Sequence, residues 1–330
     1  MGELGLIEQI RSRFSARGRG VALGIGDDCA ILRPPAGHEV LVTTDFSLEN
    51  RHFRRELHPA KSVGHRCLVR GLSDLTAMGA TPVAAFLSLA LPGDFLKARK
   101  GQRWVAGFFE GLHLLAEQSG TTLAGGDTSE SPADLIFADI VLIGSAPRGR
   151  SLRRSGARAG DEIYVTGALG GAHAELSALL GLGRAARAGA AGHPHLYPEP
   201  RLGVGAELMR RGMATAAIDL SDGVSTDLAH LCEASGVGAE VEEGAIPLHP
   251  LTKRLGRKKA LDAALNGGED YELLFTARAG ARVPGRIAGV AITRIGTIRK
   301  RNARVPRVVI RGAAGEVREL MPAGWQHFSS

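Results

Sequence analysis

Six short patches of acidic residues and glycine punctuate this chain: Gly26-Asp27-Asp28, Thr43-Thr44-Asp45, Ser73-Asp74, Gly125-Gly126-Asp127-Thr128, Asp219-Leu220-Ser221-Asp222-Gly223 and Gly267-Gly268-Glu269-Asp270. Most follow a run of apolar, strand-like residues, so each carboxylate is expected where a strand ends in a loop. A fold that satisfies this needs several strands whose ends carry acids. If those acids converge, they repel one another. Such a site requires several divalent cations, and the commonest reason to gather so many is a polyphosphate.

The apolar runs between the patches alternate between strand and helix signals. Val21 to Ile25 and Glu39 to Thr44 read as strands, and Pro59 to Met78 as a helix with proline in its first turn. Pro82 to Leu91 is a strand, and Asp94 to Ser119 a helix stopped by Gly120. Thr121 to Ala124 and Leu135 to Ile143 complete the strands of the first half. The basic, Gly- and Ser-rich stretch from Pro147 to Gly160 marks a boundary, giving domains 1-146 and 147-330. Strands follow at Asp161 to Thr166, Ala214 to Ile218, Tyr271 to Thr276, Ile292 to Ile298 and Val305 to Arg311. Helices are expected after Gly167 to Gly171, at Arg201 to Arg211 and at Val224 to Ser235, with an exposed connection from Gly183 to Gly192. The fold class is α/β (α+β), in two halves with mixed sheets and flanking helices.

Composition removes several function classes. At 330 residues, 44% hydrophobic and 23% charged, the chain is that of an ordinary globular protein with two cores. No apolar run approaches the roughly 20 residues of a membrane span, and Met1 to Phe14 lacks the order of a signal peptide. A cytoplasmic location without membrane association is expected. Cys29, Cys67 and Cys232 are too few and scattered for a disulfide framework or a zinc site, and read as buried free thiols, Cys29 lying near the site through Asp28. The net charge of +7 is concentrated at Arg148 to Arg158 and Arg299 to Arg307. With only 5% aromatic residues to stack bases, a solvated arginine-rich surface explains this better than nucleic-acid binding.

The patches suit phosphate chemistry through metals. One of Asp27 and Asp28 should ligate, since neighbouring side chains of an extended segment point opposite ways, and Asp28 is the choice. Thr43, Thr44 and Asp45 form a mixed oxygen set suited to Mg2+. Asp74 lies in a helical pattern among apolar and small residues. Gly125 and Gly126 can offer amides to phosphate oxygens, with Asp127 holding a cation against them. Ser221 or Asp222 could instead cap the following helix, which would leave Asp219 unexplained. There is no Walker A sequence, no G-x-S-x-G elbow and no H-E-x-x-H helix. Mg2+-assisted phosphoryl transfer therefore gains over nucleophilic or zinc hydrolysis.

Taken in order, residues 24 to 30 (Gly-Ile-Gly-Asp-Asp-Cys-Ala), 43 to 45, His52-Phe53, 73 to 80 (Ser-Asp-Leu-Thr-Ala-Met-Gly-Ala), 125 to 128, 219 to 223 and 267 to 273 (Gly-Gly-Glu-Asp-Tyr-Glu-Leu) resemble the thiamine-monophosphate kinase family. This family lies within the aminoimidazole ribonucleotide synthetase superfamily. Trp325 and His327-Phe328 echo its C-terminal end, while Phe46 to Arg51 departs from its glycine-containing form. The resemblance implies a two-domain aminoimidazole ribonucleotide synthetase-like fold and a homodimer assembled through the N-terminal domains. It implies phosphorylation of thiamine monophosphate with ATP as co-substrate on several Mg2+ ions; because a phosphate monoester is largely ionised at neutral pH and needs no general base, direct in-line transfer without a phosphoenzyme is the expected mechanism. Position by position it implies metal contacts at Asp28, Thr43, Thr44, Asp45, Asp74, Asp127, Asp219 and Asp222. Asp45, Asp74, Asp127 and Asp219 are the catalytic set. ATP would meet Gly126, Asp127, Arg154 and Ser221, and thiamine phosphate His52, Glu269 and Trp325. Among relatives, selenophosphate synthetase would need a cysteine before Cys29, and the hydrogenase-maturation protein a C-terminal cysteine; neither is present. Aminoimidazole ribonucleotide synthetase itself is the nearest enzymatic alternative, and a basic nucleic-acid-binding protein the alternative from another class.

Overall fold

Strand β3 (His38–Leu48) shows how local pattern and partner pairing build the first unit. Leu41 and Ser47 are buried while Val40, Val42, Thr44 and Phe46 are exposed, the two-residue alternation of a strand covered on one face. The computed structural model describes residues 3–14, 18–182 and 192–325. The expected connection from Gly183 to Gly192, up to residue 191, and the His327-Phe328 echo lie outside the described residues. The chain packs as two units. The first takes the described residues up to Leu75 together with Ala80–Gly149; the second takes Thr76–Gly79, Arg150–Leu182 and the chain from residue 192 onward.

Unit 1 begins with α1 (Glu3–Arg13) and the short pair β1 (Val21–Leu23) and β2 (Ile31–Leu32). Then follow β3, α2 (Ala60–Ala77), β4 (Thr81–Pro92), α3 (Arg99–Ser119), β5 (Thr122–Ser131) and β6 (Phe137–Pro147). The sheet order is β3-β6-β4-β5, with β4 and β5 parallel across α3 and the other pairs antiparallel. Helix α3 ends as expected at Gly120, whose φ of 66° lets its amide bond back into the last turn. The expectation that the acids sit at strand ends fails here. β3 and β6 pair continuously from His38↔Pro147 to Leu48↔Phe137, which places Thr43, Thr44 and Asp45 inside the strand. Asp127 is likewise inside β5, opposite Ser88 of β4. A partner strand on one side satisfies the backbone whatever the side chains, so both strands outrun their apolar stretches.

Unit 2 contains β7 (Glu162–Thr166), α4 (Gly171–Leu182), α5 (Leu202–Arg211), β8 (Ala216–Leu220), α6 (Val224–Ser235) and β9 (Gly238–Glu242). It continues with α7 (Arg257–Asn266), β10 (Glu272–Ala277), β11 (Arg286–Ile287), β12 (Val290–Arg299), β13 (Val308–Arg311) and β14 (Val317–Glu319). β9, α7 and β14 were not expected from the sequence. The sheet runs β14-β13-β9-β12-β7-β10-β8, mixed because β13 and β9 are parallel. Both faces are covered. Ile163, Val165 and Leu274 pack with Val224, Leu228 and Leu231 of α6, while Tyr164, Leu273 and Phe275 pack with Val204 and Leu208 of α5. This is why β7, β8 and β10 are largely apolar on both faces, apart from acids such as Asp219 and Glu272 and the threonines Thr166 and Thr276. Cys67 and Cys232 are buried free thiols as expected, and burial pushes both up to about 12. Cys29, in contrast, is exposed, because the loop after Gly26 lies on the wall of an open cleft.

Candidate active site

In unit 1 the cleft, about 740 Å³, lies between α1, the loop at Gly26 to Ala30 and the parallel strands β4 and β5. Asp27, Asp28, Gly126 and Asp127 all line it, beside an apolar wall that includes Phe86 and Phe109. Two of the expected metal contacts, Asp28 and Asp127, thus share one cleft with the expected ATP contact Gly126. The Asp27 carboxylate accepts the Asp28 amide at 2.8 Å, and both side chains line the cleft.

A second acidic group of unit 1 stands on the inner face of the sheet. The Thr43 hydroxyl of β3 donates to Asp74 of α2 in a short bond, and Asp45 follows two residues later on the same face. Thr44 points the other way and donates to Asp139 of β6 at 2.8 Å. The set Thr43, Thr44, Asp45 and Asp74 is therefore split by strand alternation, three side chains on one face and one on the other. Asp139 was missed in the sequence; its signal is an acid at an outward position of the alternating run Phe137 to Ile143. His52 lies in the turn after β3. Its Nδ1 accepts the Leu48 amide at 2.9 Å and its carbonyl accepts Arg66 at 2.8 Å, so the neutral ring carries its proton on Nε2.

Unit 2 gathers most of its expected site residues at the N-terminal end of α6. Asp219 is 4% exposed in β8, opposite Leu273 of β10. The turn Ser221-Asp222-Gly223 leads into the helix. The capping alternative for Ser221 and Asp222 does not hold: Gly223 is the N-cap, with no side-chain cap bond. The amides of Asp222 and Gly223 go instead to the Asp227 carboxylate, each at 3.0 Å. Asp227 therefore reaches back from inside the first turn and takes the capping role that Ser221 or Asp222 would otherwise fill. It is buried, and burial first, then the charges of Asp219 and Asp222, push its carboxyl up to about 8 against those two amide donors. Nothing in the sequence separates Asp227 from an ordinary first-turn acid.

Two further chains of contact bring in Glu269 and Trp325. The Glu269 amide donates to Ser221 O at 2.8 Å and that of Tyr271 to Leu220 O at 3.0 Å. The C-terminal segment docks on α6 through Ala323 N to Ser225 Oγ at 3.2 Å and Gly324 N to Thr226 Oγ1 at 3.1 Å, placing Trp325, 52% exposed, at this end. Arg154 is held elsewhere. Its carbonyl accepts Ser235 Oγ at 2.9 Å, and Ser235 is the last residue of α6. The Arg153 carbonyl accepts the Ala217 amide near the start of β8, so this segment lies at the opposite end of β8 and α6 from the Ser221 turn. The neighbouring acid Asp270 is structural, since its carboxylate accepts the amides of Gly170 and Ala172 at the start of α4, at 2.6 and 3.1 Å.

Among the described residues no group of three or more His, Cys, Asp or Glu side chains is placed to hold a metal ion by itself. Pairs of carboxylates with hydroxyls nearby fit Mg2+ all the same, which binds through one or two carboxylates and completes its shell with phosphate oxygens and water. Asp219, Asp222 and Asp227 bring three carboxyl groups to this turn, and mutual repulsion, though smaller than burial in its effect on Asp227, is of the kind a cation relieves.

The N-terminal domain of AIR synthase related proteins matches residues 26–146 and the C-terminal domain of the same family residues 158–303. The chain is similar to the thiamine-monophosphate kinases of Salmonella typhimurium (39% identity, 83% of this chain and 82% of that one) and Escherichia coli (38%, the same shares). In three dimensions it resembles the thiamine-monophosphate kinase of Stenotrophomonas maltophilia, with a TM-score of 0.81 and 35% identity over 96% of this chain and 98% of that one. It also resembles AaThiL complexed with AMPPCP and TMP, with a TM-score of 0.76 and 29% identity over 99% of this chain and 97% of that one. With both AIR-synthase-related domains present and such identity over most of its length, the chain belongs to the thiamine-monophosphate kinase family.

Proposed function

We infer that the chain transfers the terminal phosphoryl group of ATP to the phosphate of thiamine monophosphate, giving thiamine diphosphate. The observation that carries this reading is the assembly of Ser221, Asp222, Glu269 and Trp325 at one end of α6 in a chain of this family. There a phosphate-binding turn meets an acid and an aromatic side chain suited to a flat cationic ring. The relative whose structure holds AMPPCP and TMP adds weight, since an ATP analogue and a second ligand are bound together there.

The chemistry asks little of a base. A phosphate monoester has a second pKa of about 6, so the attacking oxygen is ionised at neutral pH. The obstacle is repulsion between two anions, which is met by positioning and opposite charge. Asp28 and Asp127 in the cleft, Thr43, Asp45 and Asp74 on the inner sheet face, and Asp219 and Asp222 at the α6 turn are the residues that would hold Mg2+, with Thr44 the remaining member of the set. When bound, the ions supply the positive charge that lets donor and acceptor phosphates approach. Asp45, Asp74, Asp127 and Asp219 are assigned the catalytic positions. Gly126 and Ser221 are assigned to ATP, and Arg154, far along α6 from Ser221, to a different part of the same extended nucleotide. His52, with its Nε2 proton, joins Glu269 and Trp325 on thiamine phosphate. Transfer is direct and in line, without a phosphoenzyme.

We assign 1-146 to ATP, Mg2+ and dimerisation and 147-330 to nucleotide and thiamine phosphate. A homodimer through unit 1 is supported by the outer face of β3, an edge strand that exposes Val40, Val42 and Phe46, with Val42 at 63%. A cytoplasmic place in thiamine diphosphate biosynthesis suits this activity, and among the described residues no helix is long and apolar enough to cross a membrane. Nucleic-acid binding is disfavoured because Arg299 and Arg301 spend their guanidinium groups on nearby main-chain carbonyls. Incubation with Mg2+-ATP and thiamine monophosphate should yield thiamine diphosphate, with loss of activity in EDTA and inversion at a chiral γ-phosphate. Free thiamine as the product, or no turnover, refutes the assignment; retention at phosphorus refutes direct transfer.

A further inference from the structure

Glu269 is held by more than its own loop. Its φ is 66° and that of Tyr271 is 50°, backbone conformations that cost a side-chain-bearing residue about 1 kcal/mol or more. The bonds to Ser221 O and Leu220 O impose this shape on the segment. The side chain has a separate holder. His195 Nδ1 lies 3.1 Å from Glu269 Oε2, within ion-pair reach though not aligned as a hydrogen bond, with the imidazole 1% exposed and the carboxylate 23%.

His195 is in turn fixed to α4. Its amide and that of Leu196 donate to Glu175 Oε2 at 2.8 and 3.2 Å, while Glu175 Oε1 meets His193 Nδ1 at 2.5 Å. Glu175 is itself buried. A buried imidazole anchored at its own backbone thus reaches a carboxylate that stays partly open to solvent. A glutamate has three side-chain torsions, and freezing them on binding would weaken any ligand it contacts. A buried imidazole that holds the carboxylate by close contact and charge beforehand removes that loss.

We propose that His195 is a positioning residue for Glu269, setting the carboxylate for the substrate's ring before thiamine monophosphate arrives. The inference rests on the assignment of Glu269 to thiamine phosphate. It gives a job to the segment His193 to Leu196, which none of the acidic patches includes.

The test compares His195→Leu, which keeps volume without a polar ring nitrogen, with His195→Asn, whose amide nitrogen can take the place of Nδ1. Each is made in the wild-type and Glu269→Gln backgrounds of the full chain. His195→Leu should raise KM for thiamine monophosphate about tenfold, the scale of one close, partly buried charge contact. KM for ATP and kcat should change little, and His195→Asn should recover most of the loss. In the Glu269→Gln background His195→Leu should add nothing. Multiplying effects in that background, an equal rise in KM for ATP, or no recovery with Asn overturns the proposal. A wild-type chain that turns over ATP but not thiamine monophosphate overturns instead the assignment on which it stands. Should His195→Leu fail to fold, NMR decides: His195 imidazole resonances that shift in Glu269→Gln support the contact, and resonances that do not change refute it.

Discussion

Gly126→Ala tests whether the parallel pair β4–β5 holds the cleft in shape. Gly126 has φ of 149°, a region favouring glycine, and pairs with Leu87. A Cβ there would lie 1.9 Å from the Leu87 carbonyl oxygen and 2.7 Å from its carbon, whereas real Cβ contacts stay beyond 3.0 Å. The colliding group is backbone, so the strands must part by about 1 Å. Parting them weakens the two ladder bonds beside the contact, at about 1 kcal/mol each. The strained backbone adds about 1 to 3 kcal/mol, so unit 1 should lose about 3 to 5 kcal/mol. Gly120→Ala is the matched control: φ is 66°, but nothing lies within 4 Å of the added carbon, so only the left-handed penalty of about 1 kcal/mol applies. Urea unfolding followed by Trp104 fluorescence, with Trp325 replaced by Phe, reports on unit 1 alone, since these are the two tryptophans of the chain. Because Gly126 and Asp127 line the cleft together, Gly126→Ala should also raise KM for ATP sharply while Gly120→Ala leaves it unchanged. If the two variants unfold within about 1 kcal/mol of each other, the reasoning from backbone crowding is wrong.

Three further outcomes are expected. Asp74→Asn keeps its size and place beside Thr43 but loses its charge; kcat should fall about 100-fold or more with little change in Tm, and near-wild-type kcat at saturating Mg2+ would remove Asp74 from the catalytic set. Glu272 is buried and takes Arg201 through two bonds of 2.6 and 2.7 Å as well as the Thr166 hydroxyl, so Arg201→Leu, which strands the anion, should cost about 3 to 5 kcal/mol. The double variant with Glu272→Leu should be the more stable of the two by urea unfolding, and a strictly additive cycle would contradict this. Burial pushes the Asp270 carboxyl up to about 7 although the amides at the start of α4 oppose the rise. The folded chain then binds this proton more tightly than the unfolded chain, so the group favours folding most at low pH and loses that advantage as pH rises from about 4 to about 7. The stability of wild type relative to Asp270→Asn should fall across that window, and a difference that grows with pH would mean that the amides, not burial, govern the group.

How far the molecule could be read beforehand depended on whether the deciding contact was local. Helices α2, α3 and α6 were legible because a 3.6-residue apolar period and a following glycine at Gly120 or Gly236 are features of one segment. The full length of β3 was not, since Thr43 to Leu48 carries polar and aromatic residues and remains a strand only because β6 pairs with it throughout. β9 was missed for a similar reason: it is only five residues long, and its parallel partner β13 lies far along the chain. The candidate site divides the same way. Asp28, Asp74, Asp127, Asp219, Asp222 and Glu269 could be picked out by type and order, because phosphate chemistry needs oxygen ligands on glycine-bearing turns wherever the chain supplies them. Their holders could not. Asp227 has the composition of any first-turn acid, and His195 that of any core histidine, until the fold brings one under the Ser221 turn and the other to 3.1 Å from Glu269. Residues that touch a ligand are constrained by the ligand's chemistry, which a sequence displays. Residues that aim them are constrained by tertiary geometry alone, so it is among these, Asp227, Glu175 and His195, that substitutions in this family should alter affinity without altering the reaction.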